Sequence, residues 1–453
     1  MKMKWNARIL SATCAITLLG VVMTGCQSNS NTSQTTAPTS TNNKTETPKQ
    51  VTLRFSWWGG DARHKGTLDA INLYMKKNPN VKIEAEYGGF DGYREKLVTQ
   101  LAGASAPDII QIDAPWVKDL GNADYLVDLN KYKDKLDLKG FDDKFLKDYT
   151  VFNNKLLGLP TGINATTFIV NQDMFKQNGI EINQDWDWEK LVTEGKKLHD
   201  KNPRQYLLNA EQSVFADMII RPYVIQKTGQ QWIKDDDFTM GFDKEVLTDA
   251  FKYTLSLYDN GVLQPAQESF LFQRKAETNP KWLNKEIAGM FNWVSNLPLT
   301  KKPMEKETDV TTVPVAKNAK DSGFQVRPSQ VMVVNSKSAS IEESIKFMNF
   351  FFNDKDAALL LTDVRGLPAV EAIRKSLVDA NKVDPLAVKA TDAALKKAGT
   401  PYNALSNNEE LIKILIDSVE KVAYKKLTPE QAAADMITRY QDKLKELKSA
   451  AKK

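Results

Sequence analysis

Val51, Leu53, Phe55 and Trp57 alternate with Thr52, Arg54 and Ser56, and this period of two opens a pattern that few folds satisfy. Residues 62–78 then place Leu68, Ile71, Tyr74 and Met75 at helical spacing and stop at Pro79. Val81, Ile83, Ala85 and Tyr87 alternate again. Residues 91–103 return to helical spacing, with Tyr93, Leu97, Val98 and Leu101 on one side. Ile109, Ile110 and Ile112 form a short apolar run between Asp108 and Asp113. Strand, helix, strand, helix, strand in this order predicts an α/β fold with a parallel-rich sheet and crossover helices. In open sheets of this kind ligands bind outside the carboxyl ends of the strands. Here those ends read Trp57-Trp58-Gly59-Gly60-Asp61, then Gly88-Gly89-Phe90-Asp91-Gly92-Tyr93, then Asp113-Ala114-Pro115-Trp116.

Ahead of this pattern lie Lys2, Lys4 and Arg8, an uncharged and largely apolar stretch over 9–23, and small residues before Cys26. That order of charge, apolar run and small residues is the order of an export signal, and the run is short for a membrane span. Met23-Thr24-Gly25-Cys26 resembles a bacterial lipobox, which implies a leader over 1–25 and an acylated (palmitate-bearing) Cys26 at the mature N-terminus. Residues 27–50 are nearly all Ser, Thr, Asn, Gln, Pro and Lys, too polar to fold, and read as a flexible leash. Cys14 would leave with the leader. The single remaining thiol excludes an internal disulfide, so the body must stand on its own core. About 400 residues suffice for two or three domains.

The formal charge of +5 includes the three cations of the leader, so the mature chain is near neutral. It shows no arginine-rich stripe and no aromatic–basic interleaving, which argues against nucleic acid as a partner. No Gly-rich loop has phosphate-cradling spacing, so no nucleotide cofactor is expected. Two histidines, His64 and His199, and no usable cysteine pair leave little material for a metal centre or a serine–histidine triad, so neither metal nor catalytic residues are assigned. Downstream, residues 188–199, 244–260, 342–352 and 409–425 read as helices. Residues 167–170, 288–291 and 331–334 read as short buried strands. Thr428-Pro429-Glu430-Gln431 has the form of a capping box with proline in the first turn.

The strand ends and the mid-chain aromatics point to sugar. A pyranose ring has one face of C–H groups that a flat aromatic covers, while carboxylates and amides bond its hydroxyl edge. Trp57, Trp58, Tyr93, Trp116 and Trp293, with Asp61, Asp113 and Glu211, supply both kinds of group. Adjacent residues on a strand point to opposite faces, so only one of Trp57 and Trp58 is expected to meet ligand.

The segments "VTLRFSWWGGDARH", "YGGFDGYREKLVTQLAGASAPDIIQIDAPW", "LPTGINATTFIVNQDMF" and "GMFNWVSN" together resemble extracellular solute-binding proteins of family 1, the sugar-capturing subunits of ATP-binding-cassette importers. The resemblance spans the whole mature chain. "SWWGG" with Arg63 and His64, followed by "EYGGFDGY", is similar to the branch that binds pectin-derived acidic oligosaccharides. The family implies a two-lobed, periplasmic-binding-protein-like fold with the ligand cleft between lobes, over 51–163 plus 331–397 and 164–330 plus 398–453. Thr161 and Gly162 would line the cleft at the first crossing, with Gly59 and Arg365 close by. Trp293 would be the stacking aromatic of the second lobe and Glu211 a hydroxyl-binding carboxylate. Arg63, His64, Arg221 and Arg365 would meet an acidic sugar. The expected protein is not an enzyme. It is a monomeric substrate-binding lipoprotein on the extracytoplasmic face of the cell membrane, with an oligosaccharide and an ABC permease as partners. The competing reading is a membrane-tethered glycosidase built on the carboxylates Asp61, Asp113 and Glu211. Cys26→Ala is expected to abolish incorporation of labelled palmitate and to release the protein from the membrane fraction. Undiminished labelling would rule out Cys26 as the anchor.

Overall fold

The computed structural model describes residues 50–183, 185–234, 237–273 and 275–450. The expected leader, Cys26 and nearly all of the leash lie outside them. Ten strands make up two five-stranded sheets: β1 (Val51–Trp58), β2 (Val81–Gly88), β3 (Ile109–Ile112), β4 (Leu159–Pro160), β5 (Ile163–Asn171), β6 (Tyr206–Asn209), β7 (Ile287–Trp293), β8 (Thr308–Thr311), β9 (Val326–Pro328) and β10 (Val331–Val334). The first sheet has the order β2-β1-β3-β10-β4. As the alternating pattern predicts, β1 runs parallel to β2 and to β3, whereas β10 is antiparallel to both β3 and β4. The second sheet is β8-β5-β7-β6, with β9 also on β5. Only β6 and β7 are parallel there; β7, β8 and β9 all meet β5 antiparallel. Both sheets are therefore mixed rather than parallel-rich throughout. The antiparallel members of the first sheet are the strands by which the chain leaves it and returns.

Both faces of the first sheet are covered. Leu53, Phe55 and Trp57 face the helices Asp61–Lys77 and Ile341–Asn353, packing with Ile71, Tyr74, Phe347 and Phe351. Ile110, Ile112, Val331 and Val333 pack with Leu97, Leu101, Val117 and Leu120 on the other side. In the second sheet Phe168, Val170 and Phe291 pack with Phe175, Trp186 and Leu191. The helix Pro385–Lys396 lies against β5 and β8. Truncating any one of the fully buried aromatics costs about 3–5 kcal/mol.

Local chemistry sets the helix ends. Asp61 stands in the first turn of Asp61–Lys77 and Lys76 and Lys77 in its last, matching the helix dipole at both ends. At Pro429–Ala450 the expected capping box is reciprocal. Gln431 N donates to Thr428 Oγ1 at 3.2 Å, and Thr428 N donates to Gln431 Oε1 at 3.0 Å. Among the described residues no helix is long and apolar enough to cross a membrane.

Three passages of chain join the sheets. The first runs from β4 into β5, the second from β9 into β10, and the third through 365–367. Ile163 pairs with both Pro328 and Leu367, and Ile163 N donates to Leu367 O at 2.7 Å. Thr161 N donates to Gln330 O at 2.9 Å, and Ser329 N to Gly162 O at 2.9 Å. A Cβ on Gly162 would stand 2.1 Å from the Arg365 carbonyl oxygen. Gly366 has φ +83°, which a side chain resists. Gly162→Ala must therefore push two backbones apart. It is expected to destabilise the fold by at least about 1–3 kcal/mol, read by denaturant titration. A variant as stable as the parent would show that the passages are not packed this tightly.

Candidate functional site

Where the three passages meet, the two sheets leave a cleft of about 700 Å³ between them. Its first-sheet wall begins with Asp113, directly after β3. Ala114 N donates to Asp113 Oδ1 at 2.9 Å, which fixes the carboxylate against the turn. Burial pushes the Asp113 carboxyl pKa up, opposed by that amide and by the charge of Arg327. Arg63, in the first turn of Asp61–Lys77, also lines the cleft. Its Nε donates to Val364 O at 3.0 Å and its Nη1 to Trp58 O at 3.1 Å. The guanidinium thus clamps the end of β1 to the third passage, and burial lowers its pKa. Asp363, Val364 and Gly366 complete this wall.

The opposite wall rises from the end of β7. Trp293 is its last residue, and the guanidinium carbon of Arg327, on β9, lies 4.4 Å from the indole centroid. A cation over an aromatic face at this distance contributes about 0.5–1 kcal/mol at an exposed site. Arg327 is exposed, so its remaining donors face the cleft solvent. Deeper in this wall Arg221 is buried. Its Nη1 donates to Asp217 at 3.1 Å, its Nη2 to Ser406 O at 2.8 Å, and its guanidinium carbon sits 3.8 Å from the Tyr402 ring centroid. Trp293 and Asp217 also line a second pocket of about 310 Å³, with Glu211, Ser213, Glu277, Asn292 and Asn296. Glu211 caps the short turn Gln212–Val214 there, its Oε2 accepting from Ser213 N at 2.8 Å. The indole and Asp217 thus form a partition between a charged cleft and a pocket of amides, hydroxyl and carboxylates.

The structure brings Arg63, Asp113, Arg221 and Trp293 to the cleft and Glu211 to the pocket behind it. Other expected residues lie elsewhere. Trp57 is fully buried between Phe55 and Tyr87, because β1 is covered on both faces. Its Nε1 donates to His64 Nδ1 at 3.1 Å, so that ring nitrogen of His64 accepts from the core rather than meeting an anion. Trp58 packs on Tyr93, Phe90 and Trp116 in an aromatic cluster beyond the cleft lining, which the loop over 88–93 does not reach. The Tyr93 hydroxyl lies 3.1 Å from Ser56 Oγ and donates to Gln111 O at 3.0 Å, tying β1 to β3. Asp61 is exposed at the helix start, and a Cβ on Gly59 would meet the stem of Arg63 at 2.6 Å. Thr161 and Gly162 are buried in the crossing, Thr161 Oγ1 lying 3.2 Å from Gln330 Oε1. Arg365 is 3% exposed and points into the first-sheet core, so it is not a direct ligand cation. Arg327 escaped the sequence reading. Its signal was its place on the strand just before 331–334, which had to return past the first crossing.

Residues 61–358 match the model for the bacterial extracellular solute-binding proteins. The chain belongs to that family. The family is one of binding proteins rather than enzymes, and Asp113 and Glu211, offered to a glycosidase, lie in different cavities. A solute-binding protein of family 1 from Alicyclobacillus acidocaldarius superposes with a TM-score of 0.79 at 24% identity, over 88% of this chain and 100% of that one. A periplasmic solute-binding protein from Pectobacterium atrosepticum gives 0.68 at 28% identity, over 88% and 99%. A periplasmic oligogalacturonide-binding protein from Yersinia enterocolitica gives 0.72 at 26% identity, over 87% and 99%. In sequence, the solute-binding protein is 25% identical over 153 residues to an uncharacterized lipoprotein of Streptomyces antibioticus, spanning 33% of this chain and about a third (34%) of that relative.

Because burial favours the protonated form of Asp113, its folded pKa exceeds its unfolded one. The stability that proton contributes is present at low pH and is lost as pH rises through the folded value. Asp113→Asn keeps the acceptor for Ala114 N and removes the buried charge. It is expected to raise the melting temperature at pH 7, with the gain vanishing below about pH 4. A lower melting temperature at pH 7 would mean that the attraction of Arg327 outweighs the burial.

Proposed function

We propose that this solute-binding protein captures an oligosaccharide, acidic and pectin-derived, and hands it to an ABC permease beside which Cys26 anchors it. The observation that carries this reading is Trp293 under the Arg327 guanidinium, standing between the cleft and the Glu211 pocket. One sugar ring stacks on the indole. Its hydroxyl edge reaches Asn292, Asn296 and Glu211, and a uronate carboxylate meets Arg327 and the free donors of Arg63. The oligogalacturonide-binding relative supports the acidic choice. The two bodies that close on the ligand are the lobes expected over 51–163 plus 331–397 and 164–330 plus 398–453, except that the helix Pro385–Lys396, which packs on β5 and β8, is reassigned from the first to the second. Ligand that touches both walls only in the closed form shifts the open–closed equilibrium by its differential affinity. The lipid anchor and leash keep the closed form at high effective concentration near the permease.

Titration calorimetry of the detergent-solubilised full chain with galacturonate oligomers, beside neutral malto- and xylo-oligomers, tests this. One-to-one binding of the acidic series is expected. Trp293→Ala should weaken it on the order of 10- to 100-fold, and Arg327→Ala should weaken the acidic series more than any neutral one. Preference for a neutral oligomer would sink the pectin assignment, and binding of no oligomer would sink the sugar reading.

A further inference from the structure

Arg365 is the most unusual charge in the first-sheet core. It is 3% exposed, yet among the described residues no carboxylate pairs with it. Its Nη1 donates to the Gln111 amide oxygen and its Nη2 to Thr67 Oγ1 at 2.9 Å, while its Nε has no partner. The ring centroids of Phe55, Trp57 and Phe351 lie 5.9, 5.9 and 5.6 Å from the guanidinium carbon. A buried cation with only neutral partners costs free energy, and an apolar residue of similar shape would avoid that cost. Packing alone therefore does not account for it.

The surroundings tie this charge to the cleft. Its chain neighbours Val364 and Gly366 line the cleft floor. Gln111, which accepts from Arg365, donates through Nε2 to Trp58 O at 3.1 Å, and the same carbonyl accepts from Arg63. Among the described residues Arg63 also bonds only neutral carbonyls. The second-sheet cation behaves differently, since Arg221 is paired with Asp217. The one carboxylate next to Arg365 in sequence, Asp363, is exposed at the cleft and screened by solvent. A field from charges in low dielectric is not screened in this way.

We propose that Arg365 is a positioning residue for ligand charge: with Arg63 it holds positive potential, contacted by no carboxylate among the described residues, behind the first-sheet wall, and an anionic oligosaccharide supplies the counter-charge from the cleft without touching it. This rests on the oligosaccharide reading and adds the residue that sets its charge selectivity at a distance. Burial and the nearby Arg63 bring the Arg365 pKa down to about 9, so the charge is present at neutral pH.

The test compares binding of trigalacturonate and its methyl ester by the full chain and by Arg365→Met and Arg365→Lys. Arg365→Met is expected to reduce the acid-to-ester affinity ratio on the order of tenfold, leaving ester affinity and melting temperature close to those of the parent. Arg365→Lys, which keeps the charge but not the guanidinium fork, should restore the ratio. Gln111→Glu sets a compensating carboxylate against Arg365 Nη1 and should lower the ratio by a second route, should the methionine variant fail to fold. An unchanged ratio in Arg365→Met, or in Gln111→Glu should the methionine variant not fold, or equal loss of acid and ester binding, overturns the inference while sugar binding stands. Failure of the parent chain to bind either oligomer overturns both.

Discussion

The contact of Gly162 with the Arg365 carbonyl is the constraint on which the rest of this molecule depends. Two sheets built from one chain need passages between them, and three such passages cross within one pairing distance at Ile163. Backbone lies directly on backbone there, which only residues without a Cβ allow. Because the passages are tied by main-chain hydrogen bonds, the positions of Arg327 on one passage and of Val364 and Gly366 on another follow from the crossing. The cleft exists where it does because the sheets splay apart from this point.

The two walls handle charge in opposite ways. On the second-sheet side Arg221 is matched by Asp217 and covered by Tyr402. On the first-sheet side Arg63 and Arg365 lean on carbonyl, amide and hydroxyl groups, and Asp113 is partly desolvated. An exposed ion pair contributes little to stability, but an unmatched buried charge carries a cost that ligand can relieve.

Some of this was legible in the residues. Alternation over 51–58 and 81–88 and the apolar run at 109–112 became three parallel neighbours in register. The capping box at Thr428 formed as read, since a cap is local chemistry within four residues. The end of β3 reached the cleft, as open sheets require. One of Trp57 and Trp58 is expected at the ligand, but Trp57 is buried and Trp58 packs in an aromatic cluster, because alternation distinguishes two faces without saying that both are covered. The expected anion contact of His64 fails at Nδ1, because sequence order does not reveal that Trp57 Nε1 donates to it.

The sequence by itself determined the first three strands and the helices between them, their order and the presence of aromatic and carboxylate groups at strand ends, and the family resemblance implied the crossing near 160–162. Periodicity and capping depend on neighbours a few residues apart, and those are written in the chain. Only the tertiary structure decided which cations see the cleft. Arg365 and Thr67 are separated by 298 residues and Arg63 and Val364 by 301, and such contacts are chosen by packing across the crossing. Burial turned one arginine inward and left Arg327 on the surface, and no local pattern in the chain distinguishes the two.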